Sequence, residues 1–241
     1  MNMKKVAIVT GASSGIGQQT ALDLVKNGYT VIGGARHIAN LKGTAIEAKY
    51  LDVTDHDSRV AFIQDVITRY GRIDVLVNAA GYGLFGAIEE VPLAEAREQL
   101  DVNLLGIADL IKLVIPTMRA QKAGKIVNIS SLAGRSYSAL AGWYYISKHA
   151  LETMSDVLRL EMKPFGIDVI IIEPGITRTN WAKVTNTHLL QSTPAKFAIP
   201  SDGGKTVTND YQTHPNGCGC LPYNSAGNHC PPTEVPLSRQ V

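Results

Sequence analysis

No cysteine precedes Cys218, and Cys220 and Cys230 complete the set of three. A body without thiols has no disulfide framework. The Cys-X-Cys pair followed by Cys230 matches none of the common zinc spacings, so no metal is expected. Charge of one sign is lacking as well: Lys and Arg total 23, Asp and Glu total 21, and the formal net charge is +2. That balance offers no electrostatic footprint for nucleic acid or an anionic membrane surface. No apolar run approaches the roughly 20 residues needed to span a bilayer. The run Val6–Val9, right after Met-Asn-Met-Lys-Lys, is too short for a signal peptide. These absences predict a cytoplasmic protein that handles a small molecule, with neither nucleic acid nor membrane as partner.

What is present suits one large α/β domain: 241 residues, 45% of them hydrophobic and 18% charged. Apolar runs at 4–10, 29–35, 45–51, 73–77, 125–129 and 167–172 read as strands. Between them, 3.6-residue periodicity predicts helices over 18–27, 55–70 (closed by Gly71), 95–120 (broken near Pro116) and 142–164. The stretch 37–44 is too short for more than about a turn of helix. Strands alternating with helices predict a doubly wound parallel sheet, Rossmann-like, in a single domain.

Ligands of such sheets bind beyond the carboxyl ends of the strands. Gly11, Gly15 and Gly17 follow the first strand: one permits a tight turn, the next lets backbone approach a phosphate, and the third lets helix pack on strand. The helix that follows offers free N–H groups to an anion. At the end of the second strand there is no acid to accept from a ribose 2′-hydroxyl. Arg36 stands there instead, which favours a 2′-phosphate and hence NADP(H) over NAD(H), against the alternative of a solvated arginine. Tyr144 and Lys148 are four residues apart, on one face of a helix. A free tyrosine has a pKa of about 10, and a lysine charge within roughly 4–6 Å favours its ionised form. Asn103 falls mid-helix, where an amide wants a partner. Taken alone, the Tyr/Lys pair also fits an ordinary exposed helix, and Asn103 a surface amide.

Taken together, Thr10–Gly17, Asp52-Val53, Asn78-Ala79-Ala80-Gly81, Asn103, Ser131, Tyr144 with Lys148, and Pro174-Gly175 with Thr179 resemble, in order, the motifs of the short-chain dehydrogenase/reductase family. The resemblance covers residues 4 to about 180 and implies a seven-stranded parallel sheet with a nicotinamide dinucleotide across the strand ends. It implies that Tyr144 is the general acid/base and that Ser131 holds the substrate oxygen. Lys148 would lower the tyrosine pKa and bind the nicotinamide ribose, and Asn103 would anchor a water between Lys148 and solvent. It implies cofactor contacts from Gly11, Ser13, Ser14, Gly15, Ile16, Gly17 and Arg36, from Asp52 and Val53 at the adenine, and from Asn78 and Ala79 at its ribose. Tyr144 and Lys148 would also touch the cofactor, with Pro174, Gly175, Thr177 and Thr179 at the carboxamide end. Ala79 stands where the family commonly has a second asparagine. Ser130, Tyr145 and His149 are expected to be structural. A homodimer or homotetramer is implied in the same way.

The chain departs from the pattern at 194–241, where periodicity fades and Pro, Asn, Thr, Gly and Cys dominate. The family would place part of a substrate lid, a further helix and its last strand there. Two explanations stand: a reading-frame shift, because reading His229–Leu237 one nucleotide later permits Ile-Ala-Arg-Arg-Pro-Lys-Tyr-Arg-Tyr, or a native disordered tail. Either leaves apolar sheet surface uncovered and predicts reduced stability. The functional expectation is hydride transfer between NADP(H) and a carbonyl or secondary alcohol, acid/base Tyr144. Its alternative is a dinucleotide-binding protein without turnover. Tyr82–Phe85 and the stretch 88–93 are similar to family members acting on steroid- or retinoid-like alcohols.

Overall fold

The computed structural model describes residues 4–175 and the backbone of 199–200 and 206–207. The chain divides into two compact units, Met1–Thr193 and Pro194–Val241.

In the first unit, strands alternate with helices as β1 (Val6–Thr10), α1 (Gly15–Lys26), β2 (Thr30–Ala35), β3 (Glu47–Tyr50), α2 (His56–Tyr70), β4 (Val75–Asn78), α3 (Leu93–Leu100), α4 (Gly106–Gln121), β5 (Gly124–Ile129), α5 (Gly142–Met162) and β6 (Ile167–Ile172). All six strands are parallel, in the order β3-β2-β1-β4-β5-β6. The connection between β2 and β3 holds a single 3₁₀ turn, Ile38–Leu41. In the second unit the described residues form one short antiparallel pair, β7 (Ile199–Pro200) with β8 (Thr206–Val207). The family's seventh strand and the two explanations offered for 194–241 fall outside the described residues.

Alternating side chains cover the two faces of the sheet differently. Ile8, Ile32, Leu76 and Ile126 pack with Phe62, Leu110 and Leu151 from α2, α4 and α5. On the opposite face Ala7, Val9, Val31, Val75 and Val77 pack with Ala21 of α1. Ile170 and Ile172 of β6, at the edge of the sheet among the described residues, are 38% and 45% exposed.

One predicted helix is two. The sequence predicts one long helix over 95–120, kinked or broken near Pro116, but α4 runs through Pro116 to Gln121, and the interruption is a π-helical turn at Asp101–Leu105. A π turn takes in one extra residue and rotates its neighbours. Here it carries Asn103 to full burial and sets Gly106 against the Val53 carbonyl, where a Cβ would collide. Periodicity cannot reveal such a turn, because the apolar residues on both sides keep the helical rhythm.

Caps otherwise fall where chemistry puts them. The Asp55 side chain accepts from the Asp57 N–H at the start of α2, and Gly71 closes that helix with a positive φ of 66°. Phe62, from the middle of α2, is fully buried under the sheet and lies beside Gly34 of β2. Phe62→Ala is expected to destabilise the protein by about 3–5 kcal/mol, measured as a lower urea midpoint with an unchanged m-value. A loss under about 1 kcal/mol would contradict the packing described here.

Candidate active site

Strand order reverses between β1 and β4, the usual place for a ligand crevice in an open parallel sheet. The reversal is built from small groups. Gly11 has φ +63°, and a Cβ on it would lie 2.9 Å from the Ala80 Cα. A Cβ on Gly17 would lie 2.5 Å from the Gly11 carbonyl oxygen, so α1 approaches β1 as closely as backbone allows. The Thr10 hydroxyl accepts the N–H groups of Ala79 and Ala80, each at 3.0 Å. The turn after β4 is therefore held by Thr10, and Ala79 does not disturb it.

Ser14 caps α1 by position only, without a side-chain bond, and the first turn of α1 carries no acid. Its first N–H groups are left for an anion, and Gly15, with φ +54°, stands exposed at the tip. Ser13 and Ile16 are half-buried beside it. This glycine cradle fits a dinucleotide phosphate.

Around it, Arg36 is exposed at the end of β2. After β3, burial works against ionisation of Asp52, but the N–H and hydroxyl of Thr54, at 2.9 and 2.7 Å, and the charges of Arg36 and Arg59 more than offset it. The carboxyl is therefore held below its ordinary range. The Val53 carbonyl accepts from Arg59 at 2.6 Å, and Arg59 also pairs with Asp109 of α4 at 2.6 Å. The Asp52-Val53 turn is thus braced by α2 and α4 together. Asn78, implied by the resemblance to lie on the ribose side, carries its side chain into the interior. That side chain is fully buried and donates to Asn128 at 2.9 Å, which donates to Ser155 at 2.8 Å, a line of amides tying β4 and β5 to α5. Backbone of the Asn78–Gly81 turn, with the half-buried Ala79 and Ala80, is left to meet a ligand.

Ser131, Tyr144 and Lys148 do converge. The Tyr144 phenol hydrogen-bonds Ser131, and Lys148 Nζ lies 5.9 Å from the Tyr144 ring centre while donating to the Ile129 carbonyl at 2.9 Å. Asn103 is bonded through its amide to both the N–H and carbonyl of Tyr82, and to Ser147 at 3.1 Å. A Cβ on Gly81 would lie 3.1 Å from Asn103 Oδ1 and 3.8 Å from Lys148 Nζ, so both polar groups face one small gap. Pro174 accepts from the Leu132 N–H at 3.2 Å, and Gly175 lies against Leu132. Thr177 and Thr179 fall outside the described residues.

The electrostatics correct one expectation. Lys148 was expected to lower the tyrosine pKa. Instead burial, at 7% exposure, pushes the phenol above its ordinary value; the Ser131 bond pulls it back and Tyr145 adds to the rise. Lys148 is itself buried, which lowers it to about 8, with Glu152 acting to raise it. For both groups desolvation is the largest effect, and the sequence does not display it.

Of the neighbours, Tyr145 turns its hydroxyl to Ser138 at 3.0 Å and His149 is exposed. Sequence reasoning missed Ser147, which donates to the Tyr144 carbonyl at 2.7 Å; Phe85, read there only as part of the substrate-side stretch Tyr82–Phe85, stacks its ring on Tyr144 at 6.1 Å. A serine inside a helix, one residue before Lys148, was the available signal for the first. Nothing local in the sequence signals the stacking of Phe85 on Tyr144.

Comparison with known proteins agrees with this layout. The family model described as short chain dehydrogenase matches residues 5–189. The "probable short-chain type dehydrogenase/reductase VdlC" of Helicobacter pylori is 40% identical over 181 residues, which is 74% of this chain and 67% of that protein. The 3-ketodihydrosphingosine reductase of Bacteroides thetaiotaomicron is 37% identical over 194 residues, 80% of this chain and 72% of that one. The crystal structure of a metagenomic short-chain oxidoreductase in complex with NADP superposes with a TM-score of 0.69 at 35% identity, covering 71% of this chain and 82% of that one. On its sheet order, its glycine turn and these matches, the chain belongs to the short-chain dehydrogenase/reductase family, oxidoreductases that act on CH–OH and C=O groups.

Proposed function

We propose that this oxidoreductase transfers a hydride between NADP(H) and a carbonyl or secondary alcohol, with Tyr144 donating the proton in reduction and accepting it in oxidation. The observation that carries this reading is the buried Tyr144 phenol, bonded to Ser131 and set beside Lys148 beyond the glycine cradle. A nicotinamide dinucleotide, when bound, supplies the hydride. Ser131 holds the substrate oxygen beside the phenol. Lys148, fixed on the Ile129 carbonyl, places a positive charge by the ring and binds the nicotinamide ribose. Asn103 anchors a water in the gap it shares with Lys148, which is supported by the way both face Gly81. The raised phenol pKa suits the reductive direction, because the group stays protonated through neutral pH.

Preference for NADP(H) is supported by exposed Arg36 at the end of β2, and by the NADP held by a structural relative. Phe85 on the Tyr144 ring, and Ile88 packed on Gly142 two residues before it, supply an apolar wall that suits a largely hydrocarbon carbonyl compound. Assembly as a homodimer or homotetramer in the cytoplasm belongs to the same proposal. It is supported by the exposed apolar residues Leu105, Val157 and Leu160 on the outer side of the π turn and α5. No helix among the described residues is long and apolar enough to cross a membrane.

Tyr144→Phe is expected to lower kcat for NADPH-dependent carbonyl reduction by about 10²–10⁴-fold, with NADPH affinity kept within a few-fold in a fluorescence titration. Retained turnover would remove Tyr144 from the mechanism, and NADPH binding without turnover by the unaltered protein would favour the non-catalytic alternative. Exchange of Arg36→Asp is expected to reverse the ratio of NADPH to NADH affinity, and an unchanged ratio would end the 2′-phosphate assignment. Ser131→Ala removes the bond that lowers the phenol, so ultraviolet phenolate titration should show Tyr144 ionising at higher pH than in the unaltered protein.

A further inference from the structure

Glu152 lies four residues beyond Lys148 and eight beyond Tyr144, on the same buried face of α5. It is 4% exposed, and neither carboxylate oxygen has a hydrogen bond of good geometry. A carboxylate so placed is costly unless an opposite charge compensates it. Two cations are at hand. Arg135 reaches Oε2 at 3.1 Å from the loop between β5 and α5, but Arg135 is itself half out in solvent and shared with Glu173 at 3.0 Å. The other is Lys148.

The backbone around the carboxylate is shaped for it. A Cβ on Gly134 would lie 2.7 Å from Glu152 Cγ, 2.9 Å from its Oε1 and 2.9 Å from Ser130 Oγ, so Gly134 makes room for the carboxylate against Ser130. Lys148 Nζ is bonded to the carbonyl of Ile129, the preceding residue. Ammonium and carboxylate, both buried and one turn apart on α5, therefore meet neighbouring residues at the end of β5, the first at Ile129 and the second beside Ser130. Helix stability does not account for the pair, because glutamate four residues after lysine is the weaker of the two orientations on a helix.

We propose that Glu152 is a positioning residue whose charge keeps the Lys148 ammonium protonated where the Ile129 carbonyl holds it, with Arg135 setting how much of that charge reaches the lysine. The proposal rests on the reading of Tyr144 and Lys148 as the proton-transfer pair. Burial alone drives Lys148 toward its neutral form, and Glu152 is the charge that opposes it. The other titratable or charged groups facing this cluster are Tyr144, Tyr145 and Asp156 on α5, Arg135 on the loop and Glu173 after β6. Reduction requires a protonated phenol and a charged lysine, so its rate falls as pH rises through the lysine pKa. Without Glu152 that fall begins at lower pH.

The test follows the Lys148 side chain by NMR pH titration of protein carrying ¹³C-labelled lysine, without cofactor, alongside pH profiles of kcat/KM for NADPH-dependent reduction. In Glu152→Gln the Lys148 midpoint and the alkaline limb should both move down by about one to three pH units, and Glu152→Asp should restore much of the difference. In Arg135→Gln, where a competing cation is gone, both should move up. A structural staple between α5 and the loop would lower thermal stability in all variants and leave the midpoint where it was, which overturns the proposal. If the midpoint moves as stated while the unaltered protein has no reductase activity, the electrostatic role of Glu152 stands and the proposed function fails.

Discussion

The Thr10 hydroxyl accepts N–H groups from both Ala79 and Ala80, and these two bonds join the halves of the sheet where strand order reverses. The contact demands small residues on every side. Gly11 can touch the Ala79-Ala80 turn because it has no Cβ and tolerates a positive φ, and α1 can settle on β1 because Gly17 has none either. The crevice above this junction follows from that closeness: the strand ends diverge beyond it, and the N-terminus of α1 points across it.

Beneath the crevice, polar groups are buried where an apolar core would have been simpler. The Asn78–Asn128–Ser155 line and the Asn103–Ser147 bond fasten β4, β5, the π turn and α5 to one another. Networks of this kind have few alternative packings, because a slip would leave buried amides unpaired. They therefore fix the rotation of α5 about its axis. With that rotation set, Tyr144, Lys148 and Glu152 all face the end of β5.

Burial then sets the chemistry. The phenol sits above its usual pKa and the ammonium below its own, each pushed toward its neutral form by loss of water. A pair tuned in this way keeps the tyrosine protonated and the lysine charge sensitive to its few neighbours.

Much of this was legible beforehand because it depends on local patterns. β6 was read with the limits 167–172 that it has, and the order of strands and helices followed from apolar runs and periodicity. Glycine positions disclosed the turn, and spacing by four put Tyr144 and Lys148 on one face. Other features were beyond the sequence. The π turn at Asp101–Leu105 depends on which hydrogen bonds Asn103 finds in Tyr82 and Ser147, residues far away along the chain. The inward turn of Asn78 and the sign of the Tyr144 shift depend on burial, which is a property of the packed molecule. Sequence alone determined which side chains share a helix face or a strand end, since backbone geometry converts spacing directly into direction. Tertiary structure decided how dry each site is and which partner each polar group meets, because desolvation and long-range hydrogen bonds exist only once the layers have closed.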